Sequence, residues 1–167
     1  MFTVGGADVD EQRLSDEAAC DMVLRLAADK ARAGSPGDDF VVIGADTAVV
    51  LGEEIFGKPR DCEDALRMLA SLSGRTHQVL TGVAVWAGRE MRLVLSSTDV
   101  RFREISPDEA LSYWQSGEPV DKAGAYAIQG KGGVFVEQID GSYSGVVGLP
   151  VFETVSLLEA AGVRVLG

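Results

Sequence analysis

Apolar positions recur along the chain in two rhythms, one helical and one strand-like. Met22, Val23, Leu26 and Ala27 mark one face of a helix running to about Ala33. Ser15 is its expected cap, with Asp16 and Glu17 in the first turn. The run FVVIGADTAVVL, residues 40–51, is β-branched and almost wholly apolar, which predicts a strand covered on both faces. A second helix is expected from Asp61 to Gly74 through Leu66, Leu69 and Leu72. VLTGVAVW and MRLVLSSTDVRFREI then predict two strands joined by a tight turn at AGRE. SPDEALSYWQSG carries a full set of helix signals: Ser106 as cap, Pro107 in the first turn, Glu109 completing a capping box and Gly117 as the stop. GGVFVEQIDGS predicts a strand ending in an Asp-Gly turn, and LPVFETVSLLEAAG a closing helix. Helices alternate with strands, some of them paired as hairpins. The expected fold is therefore α/β, a mixed twisted sheet flanked by helices, in one domain over residues 1–167.

Composition narrows the class. The 167 residues suffice for one sizeable core, no run is long and apolar enough to cross a bilayer, and the N-terminus lacks a basic-then-apolar signal pattern; a cytoplasmic location is expected. Cys20 and Cys62 lack metal-ligand spacing and fall on predicted helices, so free thiols are expected. The net charge of -11 argues against a nucleic-acid surface, which needs clustered cations. Only four of the fifteen basic residues are lysines, Lys30, Lys58, Lys122 and Lys131, and there is no asparagine. In a chain so tilted toward arginine, each remaining compact ammonium is a candidate for chemistry.

Several polar residues stand where apolar ones are expected. Asp46, inside the apolar run, is either a turn residue at a strand break beside Gly44 or a functional carboxylate that is paired, protonated or bound to metal. Lys30, four residues after Leu26, lies on or beside the buried stripe and must snorkel outward or point into a cleft. DVDE, residues 8–11, suits a hard divalent cation or a solvated helix approach. GEPVDKAGAYAIQGKGGVF offers amides, Lys122 and Gln129 to an anionic or amide-bearing ligand, but its GKGGV lacks P-loop spacing. A haloacid-dehalogenase-type nucleophile at Asp46 would want a second aspartate where Ala48 stands. GSYSGVVGLP is a tight connection or a phosphate-facing loop, and His77 reads as a structural residue in preference to a base.

Together DVDE, LRLAADKA, VIGADT, GKP, LSGRTHQVLTGVAV, GEPVDKAGAYAIQG and GSYSGVVGLP resemble, in order and spacing, the Maf family of nucleoside triphosphate pyrophosphatases, which share a fold with the inosine triphosphate pyrophosphatases. The resemblance implies hydrolysis of a nucleoside triphosphate between its α- and β-phosphates, with Mg²⁺ or Mn²⁺ as cofactor. It makes Asp46 the proton acceptor or a metal ligand, Glu11 a metal or water-positioning carboxylate, and Lys30 and Lys58 the cations that stabilise phosphate charge. Lys122, Arg75, Thr76 and Ser144 are implied in substrate binding. Thr47, the RTH sequence and Gln129 look like the branch that takes dTTP and UTP, and an amide at Gln129 can pair with a pyrimidine carbonyl and ring N–H. The resemblance leaves room for a homodimer. The family's opening strand and S-x-S-P-R-R loop have no counterpart in this sequence, which predicts an uncovered sheet edge and fewer cations at the triphosphate. The alternative expectation is a catalytically weak nucleotide-binding regulator of cell division.

Overall fold

The computed structural model describes residues 3–37 and 39–166. Asp38, in the loop expected to close the first helix, lies outside them. Among the described residues, five helices and five strands follow in the order α1 (Ala19–Ala33), β1 (Val41–Leu51), β2 (Glu54–Phe56), α2 (Cys62–Leu72), β3 (Thr76–Ala87), β4 (Glu90–Phe102), α3 (Pro107–Gln115), β5 (Val136–Asp140), α4 (Tyr143–Val147) and α5 (Val151–Ala160). Short 3₁₀ turns occupy Glu118–Asp121, Ala123–Ala125 and Lys131–Phe135. The strands form one sheet in the order β2-β1-β3-β4-β5, with every described pairing antiparallel.

Side-chain alternation divides this sheet into two unlike faces. On one, α1 lies across β1 and β3. Its Ala27, Ala28 and Ala31 are buried against Ala84, and two strand glycines permit the close approach. A Cβ on Gly44 would collide with the Ala27 carbonyl, and one on Gly82 would stand 2.5 Å from that of Val23. The opposite face carries the main core, where Phe56, Leu69, Leu72, Val79, Val100, Phe102 and Phe135 pack together. Phe102 anchors it, edge-on to His77 at 4.8 Å and to Tyr126 at 4.7 Å between ring centres.

Local signals explain most boundaries. Asp61 caps α2 by accepting from the Asp64 amide, and Ser106 and Glu109 form the expected capping box on α3. The β3–β4 hairpin turns at Gly88 and Arg89, both at positive φ, as a two-residue primed turn requires.

Three expectations are corrected, and the strand-break alternative at Gly44 is set aside. Ser15 does not cap α1: Asp16 sits at φ 60 in a turn, and the helix begins at Ala19 after an uncapped Ala18. The Glu17 carboxylate is drawn into bonds with the Leu14 amide and Arg25, which hold that turn away from the helix axis. Gly44 does not break its strand, because β1 runs unbroken through Asp46 and pairs with β3 from Val41 to Val50. Coverage on both faces holds for Ala48 and Val49, whereas Val41 and Ile43 are each 41% exposed. Finally, Lys131–Phe135 is a 3₁₀ turn, so β5 starts only at Val136. Its glycines fold back tightly: a Cβ on Gly132 would stand 2.5 Å from the Tyr113 hydroxyl.

Candidate active site

β2 pairs only with Val49–Leu51, so the edge of β1 before Val49 carries no partner strand among the described residues. At that edge a cleft of about 530 Å³ reaches both faces of the sheet, within the range of small-molecule sites. Asp46 enters it from the α1 side and Thr47 from the other. α1 adds Lys30, the segment before α1 adds Glu11, and the turn after β2 adds Lys58. Lys122, Tyr126 and Gln129 come from the loop after α3, and Val146 and Val147 from α4. Three of the four lysines therefore converge on one cavity. Lys131 does not; it lines a separate groove beside Phe135.

The charged centre is compact. Lys30 Nζ donates to Asp46 Oδ1 at 2.6 Å and stands 2.7 Å from Glu11 Oε1, while Lys58 Nζ lies 3.9 Å from the other Glu11 oxygen. Asp46 and Lys30 are mostly buried, their side chains 13% and 22% exposed, whereas Lys58 is open to solvent. Burial pushes the Asp46 carboxyl above the ordinary range, and the bond and charge of Lys30 only partly oppose this. Burial also disfavours the Lys30 ammonium, but its bonds to Asp46 and Glu11 outweigh that and raise its pKa. The Lys30 hydrogen bond holds Glu11 below the usual carboxylate range. Asp46 is thus a carboxylate of raised basicity whose ionised form the neighbouring ammonium favours against burial. The turn-residue reading of Asp46 is set aside, since its partner is a side chain sixteen positions away in sequence.

Two polar networks support the walls. Glu118 accepts from Tyr113 Oη (2.7 Å) and from the amides of Lys131 (2.9 Å) and Gly132 (3.0 Å), and Tyr113 Oη accepts from the Ala127 amide. These bonds fix the loop that carries Lys122 and Gln129, which accounts for the glycine-rich GKGGV without any phosphate. Behind Thr47, the buried Thr81 joins β3 to Thr47 on β1 and to the carbonyl of Gly145 in α4. His77 is buried, bonded to Tyr126 Oη at 2.9 Å and absent from the cleft lining, as its structural reading requires.

Not every expected site residue reaches the cleft. Arg75 and Thr76 are exposed at the start of β3 and do not line it. Ser144 Oγ accepts from the Val151 amide at the start of α5, so GSYSGVVGLP acts as a tight connection there. Conversely, the site also uses Tyr126, Asp121, Glu118 and Thr81, which no motif in the sequence marks as functional. Thr81 and Glu118 carried a signal, a hydroxyl amid an apolar strand and a carboxylate before a glycine-rich loop.

Comparison with known proteins gives a consistent likeness. Residues 1–161 match the family described as Maf-like protein. The chain is 52% identical over 168 residues to a dTTP/UTP pyrophosphatase of Hahella chejuensis, a match covering 98% of this chain and 84% of that protein. It is 55% identical over 162 residues to the dTTP/UTP pyrophosphatase of Myxococcus xanthus, covering 96% and 82%. A dTTP/UTP pyrophosphatase of Vibrio parahaemolyticus is 50% identical over 160 residues, covering 95% and 85%.

Proposed function

The chain belongs to the Maf-like protein family, and we propose that it hydrolyses dTTP and UTP, with modified pyrimidine nucleotides, to the monophosphate and pyrophosphate. The protein is a nucleoside triphosphate pyrophosphatase. The observation that carries the residue-level reading is the placement of Lys30 between Asp46 and Glu11 inside a cleft that also receives Lys58 and Lys122.

In the proposed reaction a water attacks the α-phosphorus, and Asp46 accepts its proton as the new P–O bond forms. The bond from the α-phosphorus to its bridging oxygen breaks, and pyrophosphate departs with that electron pair. Lys30 opposes the effect of burial and favours the ionised form of Asp46. Lys58 and Lys122 face the charge that builds on the phosphate oxygens. Gln129 and Thr47 supply the hydrogen-bonding groups that read the base.

A divalent cation fits this donor set only in part. Among the described residues no group of three or more His, Cys, Asp and Glu side chains is gathered to hold one. Asp46 and Glu11 offer two carboxylates on the same ammonium, which suits Mg²⁺ or Mn²⁺ arriving with the triphosphate and keeping much of its shell from phosphate and water. Such an ion would add Lewis-acid stabilisation of the phosphate charge.

No helix among the described residues is long and apolar enough to cross a membrane, and we place the enzyme in the cytoplasm, where its nucleotide substrates are. The reading as a catalytically weak regulator is not favoured, since the relatives are named for catalysis.

Pyrophosphate release from dTTP with Mg²⁺ tests the proposal. Asp46→Asn keeps the shape and removes the basic oxygen, and should lower kcat by a factor of at least about 100 with little change in dTTP affinity. Undiminished turnover would remove Asp46 from the proton transfer.

A further inference from the structure

Thr81 is fully buried on β3, facing away from α1, and its one proton is committed: Oγ1 donates to the carbonyl of Gly145 at 2.8 Å. The same oxygen lies 2.9 Å from Oγ1 of Thr47, its cross-strand partner. A hydroxyl has a single proton. With that of Thr81 spent on Gly145, the proton between the two oxygens must be the one on Thr47. Thr47 therefore turns its donor inward and keeps only lone pairs for anything else that approaches its oxygen. The α4 end closes over this pair, for Gly148 lies at φ +118 and a Cβ there would stand 3.5 Å from Thr47 Oγ1. Thr47 itself lines the cleft, opposite the charged face of Asp46 and Lys30.

We propose that Thr81 is a specificity-positioning residue, which makes Thr47 an obligate hydrogen-bond acceptor and so selects bases that carry a ring N–H. Uracil and thymine present such a donor at N3, whereas cytosine presents a bare lone pair there, which an acceptor-only hydroxyl repels. The inference rests on the dTTP/UTP reading and extends it to a residue that touches no substrate. Gln129, with both a donor and an acceptor on its amide, can adapt to either base by turning over, so it cannot supply this discrimination by itself.

The test compares kcat/KM for dTTP and dCTP. Thr81→Val removes the hydroxyl and frees the Thr47 proton to rotate toward the ligand. The dTTP:dCTP ratio should then fall roughly tenfold, the scale of one mismatched buried hydrogen bond, while Thr81→Ser restores it. In a Thr47→Val background, Thr81→Val should leave the ratio unchanged, an outcome that general loosening of the sheet would not produce. Thr81→Ala takes the place of Thr81→Val if the valine variant does not fold. An unchanged ratio in the folded Thr81 variant overturns the proposal, as does an equal fall with and without Thr47. Parent protein that hydrolyses dTTP but treats dCTP alike overturns this inference alone, whereas parent protein that releases no pyrophosphate from any nucleotide removes the functional reading beneath it.

Discussion

The pairing of Lys30 with both Asp46 and Glu11 makes a single lysine responsible for the charge state of the centre. Its ammonium is 2.6 Å from one carboxylate and 2.7 Å from the other, so without it two partly desolvated anions would face each other. Lys30→Met should therefore raise the Asp46 pKa beyond its already elevated position. As a base, Asp46 acts only when ionised, so activity is lost as pH falls through its folded pKa. The acid limb of kcat/KM against pH should move to higher pH in Lys30→Met, while Lys58→Met, whose ammonium is 3.9 Å from Glu11 and exposed, should lower kcat/KM with a much smaller displacement of that limb. A pH profile of Lys30→Met that superimposes on the parent's would show that Asp46 does not set the acid limb. The scarcity of lysine made these residues legible as candidates, since three of the four reach the cleft. What scarcity could not show is that Lys30 contacts carboxylates, because that depends on where α1 crosses β1.

The crossing is decided by glycine. α1 lies close enough to the sheet for Lys30 to meet Asp46 because Gly44 and Gly82 leave its backbone room. Both glycines stood in the sequence as interruptions of apolar runs, and the one beside Asp46 reads equally as a strand break; only the partner helix distinguishes a bend from a close approach. Gly82→Ala would place a methyl carbon 2.5 Å from the Val23 carbonyl, against backbone that cannot rotate aside. We expect a loss of roughly 2 kcal/mol or more in unfolding free energy from displacement of α1. Activity should fall further than occupancy of the folded state explains, since Lys30 moves with the helix. Urea denaturation and turnover on the same sample check this, and a variant as stable and active as the parent would show that α1 is not seated by these glycines. The same dependence on neighbours hid the start of α1. Ser15 has every local mark of a cap, yet the Glu17 carboxylate is committed to Arg25 and the Leu14 amide, and the turn at Asp16 follows.

Across the whole molecule, the helix and strand rhythm specified an α/β sheet flanked by helices, while the contents of its core were less legible. The irregular 118–135 stretch has no period of its own. Its shape comes from Glu118 and Tyr113, whose bonds join positions up to 14 apart in sequence, a range local patterning does not reach. His77 is the core residue with the clearest global consequence. Burial holds its pKa down to about 4 against an ordinary 6.5, partly offset by Asp99, so the folded protein keeps it neutral where the unfolded chain takes up a proton. The stability tied to this neutral form is complete above about pH 6.5 and is lost as pH falls toward 4, in total roughly 3 kcal/mol. Carboxylates act in other windows: Glu17 and Glu109, held near 2 by Arg25 and Arg103, lose their contribution only below the ordinary carboxylate range, and the raised Asp46 acts in the opposite sense. Comparing the parent with His77→Gln cancels those groups, because the amide keeps a partner for Tyr126 Oη but does not titrate. Unfolding free energy should fall between pH 7 and pH 4.5 more steeply in the parent than in His77→Gln, by an amount on the order of 2 kcal/mol. Parallel curves would mean that His77 takes up its proton as readily in the folded protein as in the unfolded chain, despite the packing of its ring against Phe102 and Tyr126.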